Sequence, residues 1–342
     1  MSDVNIRALA KALNLSISTV SKALKDSYEI STETKQRVVA LAKEMHYNPN
    51  PYASSLRRKK SNTIAVVIPE VADSFFSLAL KGIEEVAQAK GYHVLLYLTY
   101  EQYEKEKKIL EECKNGRVDG VLLSVTSETV NTLHITELMD VSGGHPVPLV
   151  FFDRAPDGLQ VASITTNDYE SSYQATQHLY QQGCCNMVYL SVSKQLTINY
   201  RRMEGFRDCL RHYGLPFTTH NIVDCSNDLA KNELLVRKLF IRKHPPDGIV
   251  AGVEKLIAPV YTVCHAKAIA IPAAVKVVSF SNLPYAAILN PALTTVTQPA
   301  FEMGQQAAIL LFKAIEKKQS PGKMENIVLP SSLYIRNSTG KG

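Results

Sequence analysis

Residues 15–24 hold the side chains whose types and spacing are best suited to contact DNA. The segment reads LSISTVSKAL, and a helix that starts after Ser16 would turn Val20, Ala23 and Leu24 toward a core. The outward side chains would then be Ile17, Ser18, Ser21, Lys22 and Lys25. Short polar groups and a cation near a helix N-terminus suit entry into a major groove.

This pattern predicts two sets of DNA contacts. The predicted backbone contacts are Ser16, Thr19, Ser21 and Lys25, because hydroxyl groups and cations bind phosphates. The predicted base contacts are Ile17, Ser18 and Lys22. The alternative is an ordinary capped surface helix, which the spacing alone does not exclude.

The positive charge of the chain is concentrated at its N-terminal end. The first 60 residues contain eleven Lys and Arg against five Asp and Glu, so they carry the whole formal net charge of +6. The other 282 residues balance, with 27 basic and 27 acidic side chains. A basic head on a neutral body indicates that the head binds a polyanion. A solvated basic tail is the alternative if the head lacks helical patterning.

Three short helices are predicted in residues 5–45, where apolar residues recur at helical spacing. Ser16 and Ser31 stand where N-caps belong, and Glu33 lies in the first turn after Ser31, where the helix dipole favours an acid. Asn14 and Leu15 form a tight turn between the first two helices. These helices must position the predicted DNA contacts.

Residues 47–61 read as a linker that holds at most a two-turn helix. Pro49 and Pro51 stop the preceding helix, and Pro51 can open a new one as its first residue. A helix of two turns does not persist by itself, so this segment needs a partner or DNA to fold.

A rhythm of strand followed by helix begins at Thr63. The apolar runs that read as parallel strands buried on both faces are 64–68, 94–98, 120–125, 149–152, 187–192, 248–252 and 275–281. Gly91, Gly116, Gly183 and Gly214 fall just after predicted helices, where a left-handed residue is favoured. The body is therefore predicted to contain two successive α/β units.

The composition argues against membrane, secreted and metal-dependent classes. No apolar run reaches the roughly 18 residues needed to span a bilayer, and the start of the chain lacks the features of a secretory signal. We therefore expect a cytoplasmic protein without a membrane partner. Six cysteines do not argue for disulfides in such a chain, and Cys209 with His212 lacks a second pair of zinc ligands. We expect neither a metal nor a cofactor.

The same motifs, taken together, resemble a known family. LSISTVSKAL, followed by Tyr47-Asn48-Pro49-Asn50, Ala53, Leu56 and Asn62-Thr63-Ile64, resembles the head and hinge of LacI/GalR-family bacterial repressors. The body continues the resemblance with Ser74-Phe75-Phe76, Gly82-Ile83-Glu84, Phe152-Asp153-Arg154, Arg202 with Glu204-Gly205-Phe206, and LTTVTQPAFEMGQQAA from Leu293. The match covers nearly the whole chain in the right order, so it is far more specific than a lone helix-turn-helix match.

The resemblance implies a sequence-specific transcriptional regulator, a repressor of carbohydrate-related genes. It would bind a near-palindromic operator as a homodimer, with a tetramer as the larger alternative. In the family the hinge helix folds on the operator and a leucine, matched by Leu56, enters the minor groove. Asn50 and Ala53 match neighbouring hinge positions. Ser31, Thr34 and Tyr47 match positions that touch phosphates.

The implied fold is a small all-α, lambda-repressor-like helix-turn-helix domain followed by a two-lobed α/β domain. This second domain would have the type I periplasmic-binding-protein-like fold with parallel sheets. The expected boundaries are 1–46 for the head, 47–61 for the hinge and 62–342 for the effector-binding and dimerisation domain. The expected N-lobe is 62–160 with 293–323, and the expected C-lobe is 161–292 with 324–342. The dimer face would lie around residues 78–89 and on the strand and helix after residue 120.

The resemblance places a small-molecule effector, a sugar or sugar derivative, in the cleft between the lobes. The implied effector contacts are Phe75, Phe76, Ser124, Asp153, Arg202, Glu254 and Ser281. Asp153 would accept hydrogen bonds and Arg202 would be a forked donor. Core packing is the alternative for each phenylalanine, and a surface ion pair is the alternative for Arg202.

Three departures from the family pattern bear on recognition. Gly252-Val253-Glu254 stands where many members have Ala-Asn-Asp, and Phe280-Ser281-Asn282 stands where they have Phe-Asp-Asp. Ser281 thus replaces a carboxylate that could hold two sugar hydroxyls, which makes a plain hexose less favoured. Glu254 could compensate, Arg202 could hold a phosphorylated or acidic ligand, or ligand binding could be lost. Lys22 replaces a common Arg and so offers a point charge instead of a bidentate base contact.

An enzyme and a secreted sugar-binding protein are the rival hypotheses. The chain has no GxGxxG, P-loop or GxSxG motif, and His93, His134 and His178 are scattered. A secreted binder would need an export signal and no basic head. We therefore predict a regulator without catalytic activity, whose operator affinity shifts with effector binding and falls steeply with salt.

Overall fold

The structure, a computed structural model, describes residues 5–47, 60–114, 116–129, 132–139, 147–192, 196–317 and 325–340. The chain divides into two compact units, residues 1–61 and 62–342. The predicted hinge contacts Asn50, Ala53 and Leu56 lie outside the described residues and stay predictions.

Three helices form the N-terminal unit, as the apolar spacing predicts. They are α1 (Ile6–Leu13), α2 (Ile17–Ala23) and α3 (Thr32–Glu44). Leu9, Val20 and Val38, one from each helix, are fully buried in a shared core. Each such side chain contributes about 1.5–3 kcal/mol by burial, and the resulting core fixes the position of α2.

The ends of these helices are set by the predicted caps. The Ser16 hydroxyl accepts a hydrogen bond from the backbone N–H of Thr19 at 3.0 Å, and the Ser31 hydroxyl accepts one from Thr34 at 3.3 Å. Asn14 ends α1 in the left-handed conformation, with φ 53°. Both N-cap predictions and the tight turn after α1 are confirmed.

Two six-stranded sheets form the C-terminal unit. The first sheet has the order β11 (Asn326–Leu329), β5 (Ser163–Thr166), β4 (Leu149–Phe152), β3 (Gly120–Leu123), β1 (Thr63–Ile68), β2 (His93–Leu98). The second has the order β12 (Ser332–Tyr334), β10 (Thr294–Thr297), β9 (Lys276–Phe280), β8 (Gly248–Ala251), β6 (Met187–Val192), β7 (Ile222–Cys225). Described neighbours pair in parallel except β10 with β12. We call the parts around these sheets the N-lobe and the C-lobe.

Helices cover both sheets, as expected for parallel strands joined by crossovers. The N-lobe helices are α4 (Ser74–Ala89), α5 (Tyr103–Cys113), α6 (Leu133–Met139) and α11 (Ala300–Lys317). The C-lobe helices are α7 (Asp168–Gln181), α8 (Thr197–His212), α9 (Leu229–Leu239) and α10 (Ile257–Ala266). Gly91, Gly116, Gly183 and Gly214 have φ values of 71°, 72°, 89° and 69°, so the predicted left-handed positions are confirmed.

The apolar runs form strands close to their predicted bounds, and the central ones are buried throughout. All four residues of β3 and of β4 are buried, which explains why these strands read as continuous apolar runs. The strand after residue 120, expected at a dimer face, is internal to the sheet and has no exposed side chain, so that part of the expectation needs correction, whereas the helix after it stays a prediction. The edge strand β2 instead exposes Leu95 and Leu96.

The expected lobe boundaries need correction at the three places where the chain crosses between lobes. The N-lobe sheet includes β5 and β11, which the sequence assigned to the C-lobe, and the C-lobe sheet includes β10, which it assigned to the N-lobe. Hydrophobic pattern identifies a buried strand of three to six residues but carries no information on the sheet that it joins, so the pattern missed these crossings.

Close helix packing in the N-lobe depends on two glycines. A Cβ on Gly82 of α4 would lie 2.1 Å from the carbonyl oxygen of Phe301, and a Cβ on Gly304 of α11 would lie 2.0 Å from that of Ala79. The two helices therefore touch backbone to backbone, and any side chain at either glycine would force them apart. This contact holds α4 firmly, and α4 begins at the cleft described below.

Candidate nucleic-acid interface and ligand cleft

Helix α2 presents most of its predicted DNA contacts on an exposed face. Ser18, Lys22 and Lys25 are exposed, and Ser21 is half-buried. Val20 and Ala23 point into the core of the N-terminal unit, as predicted. A seven-residue helix held from one side thus offers the Ser18 hydroxyl and the Lys22 cation outward, and Lys25 follows just after its end.

Ile17 is not simply outward, so that part of the prediction needs correction. Its side chain is half-buried and packs against the core of the N-terminal unit. Ile17 opens a short helix that lies against two others, and the first turn offers few other apolar atoms to cover the core edge. Removing this side chain would therefore disturb packing as well as any base contact.

Lys22 has an intramolecular partner that sequence analysis missed. Its ammonium group forms an ion pair with Glu29, in the loop between α2 and α3, and about half of each side chain, 46%, is exposed. An exposed pair of this kind contributes little stability and exchanges readily, so Lys22 can leave Glu29 for another acceptor. Glu29 lies beyond the end of α2, and a separation of seven residues is not one of the i,i+3 or i,i+4 spacings at which helical side chains pair, so the sequence did not predict this ion pair.

The other predicted phosphate contacts lie at the start of helices or beside the core. The hydroxyl groups of Ser16 and Thr19 lie 2.9 Å apart, and the Ser31 hydroxyl donates to that of Thr34 at 2.9 Å. Tyr47 is half-buried against the core of the N-terminal unit, and burial raises its pKa. The caps thus fix these hydroxyl groups in place near the N-termini of α2 and α3.

A cleft in the C-terminal unit has about 390 Å³ of space between its walls, with open solvent at its mouth included in this figure. Its walls come from segments that follow the carboxyl ends of β1, β4, β6, β8, β9 and β10, the place where parallel α/β folds bind ligands. The lining residues are Asp73, Phe75, Phe76, Asp153, Arg154, Ile198, Arg202, Val253, Glu254, Phe280, Ser281, Asn282 and Gln298.

Six of the seven predicted effector contacts line this cleft, and Ser124 does not. The six are Phe75, Phe76, Asp153, Arg202, Glu254 and Ser281. Ser124 is fully buried after β3. Sequence analysis did not assign the lining residues Asp73, Arg154, Phe280 and Gln298 to the effector site. Asp73 directly precedes one quoted motif and the other three lie within quoted motifs, so their position at the ends of strands was a usable signal.

Phe75 and Phe76 serve both the cleft and the core. Their rings meet edge to face with centroids 5.3 Å apart, and Phe76 meets Phe152 in the same way at 6.5 Å. Both side chains belong to the N-lobe core while one surface of each lines the cleft. The two interpretations made from sequence therefore describe the same rings, which form a rigid apolar wall.

Arg202 is buried, so the alternative of a surface ion pair is wrong. Its Nε donates to Asp168 at 2.6 Å and its Nη1 donates to the Gly252 carbonyl at 2.7 Å. The guanidinium carbon lies 4.0 Å from the centre of the Phe280 ring. Burial opposes the charge, but the carboxylates of Asp168 and Asp153 outweigh it and raise the pKa of Arg202.

One nitrogen of the Arg202 guanidinium remains available to a ligand. Its buried Nη2 has no hydrogen-bond partner among the described residues, while the other two nitrogens are occupied. An unpaired donor of this kind is costly to leave without an acceptor, so a ligand hydroxyl or carbonyl that reaches it gains binding energy.

Asp153 is a buried carboxyl at the centre of the charged groups of the cleft. Its backbone is in the left-handed conformation, with φ 62°, and its carboxylate lies 3.6 Å from Nε of Arg154. Burial raises its pKa to about 7, and the positive charges of Arg154 and Arg202 offset only part of that shift. Asp153 can therefore accept or donate a hydrogen bond near neutral pH.

The raised pKa of Asp153 predicts a loss of stability as pH rises. An unfolded Asp titrates near its usual 3.8 and the folded one near 7, so the folded state holds an extra proton between these values. The free energy of unfolding should fall through this window, and the Asp153→Asn variant should lack that part of the fall. Between pH 5 and 8 the variant should gain on the order of 2 kcal/mol relative to the native chain. Urea unfolding at pH 5 and at pH 8 measures the difference in stability between the variant and the native chain. The same difference at both pH values would contradict the prediction.

Glu254 and Ser281, which stand at the departures from the family pattern, bond to each other. The Ser281 hydroxyl donates to Glu254 Oε2 at 2.8 Å, and the backbone N–H of Asn282 donates to the same oxygen at 3.0 Å. Glu254 Oε1 accepts from Ser74. Glu254, which could compensate for the carboxylate that Ser281 replaces, is thus present in the cleft. Its oxygens are already engaged by donors of the protein.

Two features are absent from the part of the chain that the structure describes. No group of three or more His, Cys, Asp or Glu side chains among the described residues could hold a metal ion. Within the same residues no helix is both long and apolar enough to cross a bilayer. Cys209 is buried while His212 is exposed, so they face different surroundings.

Two family models match the chain. Residues 61–337 match the periplasmic binding proteins and sugar binding domain of the LacI family, and residues 5–50 match the bacterial regulatory proteins of the lacI family. The first model covers well over half of the chain. The predicted order of a helix-turn-helix head followed by a sugar-binding-type body is confirmed.

Curated relatives match over nearly their full length. The chain is 31% identical over 338 residues to the ribose operon repressor of Halalkalibacterium halodurans, covering 98% of this chain and 97% of that protein. It is 26% identical to catabolite control protein A of Priestia megaterium, covering 98% and 99%. Both relatives thus share the whole architecture of this chain.

Solved structures show the same fold. The lac repressor dimer bound to operator and the anti-inducer ONPF aligns with a TM-score of 0.86 at 18% identity, over 99% of this chain and 100% of that chain. The complex of the transcriptional regulator CelR with cellobiose aligns with a TM-score of 0.72 at 23% identity, over 98% and 99%. The match of sequence, fold and motif order establishes that the chain belongs to the LacI family of bacterial regulatory proteins.

Proposed function

We propose that this chain is a sequence-specific repressor of carbohydrate-related genes that binds a near-palindromic operator as a homodimer. Its operator affinity would change when a small molecule binds the cleft. The observation that carries the proposal is the presence, on one chain, of an exposed recognition face on α2 and a cleft with an unpaired buried donor, Arg202 Nη2. The protein would catalyse no reaction and would act in the cytoplasm, where its operator is.

The DNA contacts follow from the exposed face of α2. Lys22 and Ser18 would read base edges, with Ile17 adding an apolar contact from its exposed part. The backbone contacts would be Ser16, Thr19, Ser21, Lys25, Ser31, Thr34 and Tyr47. The minor-groove contacts would be Asn50, Ala53 and Leu56.

Exposed apolar side chains on the N-lobe support a homodimer. Leu78 on α4 is 37% exposed, and Leu95 and Leu96 on the edge strand β2 are 38% and 40% exposed. Large aliphatic side chains that remain exposed on neighbouring elements mark interaction surfaces. We propose that the dimer face includes α4, as expected from sequence, and β2 in place of β3.

The charges of the cleft favour an uncharged, hydroxyl-rich effector over an anionic one. Arg202 is already paired with Asp168, and Arg154 donates to Glu101 at 2.8 Å. Asp73, Asp153 and Glu254 add further carboxyl groups to the lining. A phosphate or carboxylate would enter a site where both guanidinium groups are neutralised and acids are in excess, which is unfavourable. The relatives named for a ribose operon and complexed with cellobiose support a sugar.

Operator footprinting on the DNA that flanks the gene tests this proposal. We expect protection of a near-palindromic site, binding that weakens steeply with salt, and a change of at least roughly tenfold in affinity with one of a panel of sugars. The panel should pair each sugar with its phosphate. If no palindromic duplex is preferred over random DNA, operator recognition is wrong, and if only phosphates act, the effector class is wrong.

A further inference from the structure

Glu254 joins the two lobes of the cleft through both of its carboxylate oxygens. Oε1 accepts from the Ser74 hydroxyl at 2.8 Å and from the Ser74 backbone N–H at 3.4 Å. Oε2 accepts from the Ser281 hydroxyl at 2.8 Å and from the Asn282 backbone N–H at 3.0 Å. Ser74 begins α4 of the N-lobe, whereas Ser281 and Asn282 follow β9 of the C-lobe. One carboxylate thus closes the cleft from side to side.

The neighbouring residue reinforces this connection. Lys255 Nζ lies 3.6 Å from a carboxylate oxygen of Glu70, which follows β1 of the N-lobe. Glu254 and Lys255 belong to the short 3-10 helix Glu254–Leu256 of the C-lobe. Lys255 also donates to Asn227 of its own lobe at 2.6 Å, so its ion pair with Glu70 is the looser of the two links to the N-lobe and Glu254 is the main one.

The bonding pattern requires a carboxylate and no other common side chain. Each oxygen faces a backbone N–H, one from Ser74 and one from Asn282, and a backbone N–H can only donate. Gln would place its own N–H₂ group against one of these donors. Asp would lack one methylene of reach. The position where the family pattern has Asp is thus occupied by the one residue type that can bridge both lobes.

The start of α4 also favours negative charge. Ser74 is the first residue of a 16-residue helix, whose N-terminus carries partial positive charge and unpaired N–H groups. Asp73 already caps Phe75, and burial together with the charge of Glu254 raises the pKa of Asp73. Glu254 therefore takes a place at this helix end that an anionic ligand group could use.

We propose that Glu254 acts as a resident ligand of the cleft, which holds the two lobes together before any effector binds. An effector that uses Ser74, Ser281 or Asn282 has to displace this carboxylate. The donors of Ser74, Ser281 and Asn282 that face Glu254 are therefore already engaged, and the groups left for an effector include Asp73, Asp153, Arg154 Nε and Arg202 Nη2.

Cross-linking across the cleft mouth tests the proposal in the full chain, without DNA or effector. Glu70→Cys and Lys255→Cys place one thiol on each lobe, and Cys185→Ser removes an exposed native thiol. A bismethanethiosulfonate with a two-carbon spacer then links the thiols only while the lobes are closed, and intact mass reports the rate. Adding Glu254→Gln should lower that rate roughly tenfold. Losing a hydrogen bond to a charged group shifts the equilibrium between closed and open lobes by about this factor.

Matched variants separate closure from other effects. Glu233→Gln removes one carboxylate from α9 of the same lobe and should leave the rate unchanged. Ser74→Ala removes one donor at the N-lobe end and should lower the rate less than Glu254→Gln, so it carries the test if the latter variant fails to fold. Equal rates in the parent, Glu254→Gln and Ser74→Ala would overturn the proposal, as would a parent that does not cross-link.

This inference rests on the proposed function, since it concerns the same effector cleft. Its assay contains no operator and no sugar. An unchanged cross-linking rate would contradict the role of Glu254 but would not affect the evidence for operator recognition. Missing footprints would contradict operator recognition but would not affect the evidence that Glu254 closes the cleft.

Discussion

The Lys22→Ala variant should lose on the order of 100-fold in affinity for the operator, while its affinity for random DNA falls only by the smaller amount that the loss of one positive charge causes. One base contact contributes about 1–3 kcal/mol of discrimination, and a dimer makes each contact twice. Lys22 is the exposed cation on α2, and only a weak, exposed ion pair with Glu29 competes for it. Fluorescence anisotropy with operator and scrambled duplexes measures the two affinities.

Lys43→Ala is the matched control for this prediction. It removes the same charge from α3 of the same unit, and Lys43 is exposed. The control should lower the affinity for operator and for random DNA alike, because neither a phosphate contact nor long-range electrostatic attraction carries sequence information. Equal losses of discrimination in both variants would show that Lys22 does not read bases. Ile17 is a poorer site for this test, since its packing would confound the result.

The Arg202→Leu variant should lower the free energy of unfolding by about 3–5 kcal/mol. The substitution leaves Asp168, which is 2% exposed, as a buried charge without its guanidinium partner. It also leaves the Gly252 carbonyl without its donor. Urea unfolding at neutral pH, with the slope checked against the native chain, measures the change.

Arg201→Leu provides the control, since the same residue type changes at the next position. The Arg201 side chain is 47% exposed and lies 3.8 Å from Asp157, against 3% exposure for Arg202. Its loss should cost no more than about 1 kcal/mol. The double variant Arg202→Leu with Asp168→Leu should recover much of the loss, because no charge remains buried. Equal costs for Arg201→Leu and Arg202→Leu would contradict the buried pair.

The pattern of the sequence predicted the elements well because their cause is local. The caps Ser16 and Ser31 act within three residues, and a buried strand such as β4 needs only a run of apolar side chains. The position of Asp153 and Arg202 in the cleft also followed, since the resemblance carried both residues to the segments after their strands. Arg154 lies within one of the same motifs and Asp73 directly precedes another, but the resemblance assigned neither of them an effector contact.

By itself, the amino-acid sequence determined the head with its three helices, the alternation of strands and helices in the body, and the family that both imply. The tertiary structure decided which sheet β5, β10 and β11 join, that Arg202 is buried against Asp168, and that Glu254 spans the cleft. The hydrogen bonds of Arg202 with Asp168 and of Glu254 with Ser281 and Ser74 join residues 27 to 180 positions apart. Local propensity has no range to specify them, since they depend on how packed layers bring distant segments together.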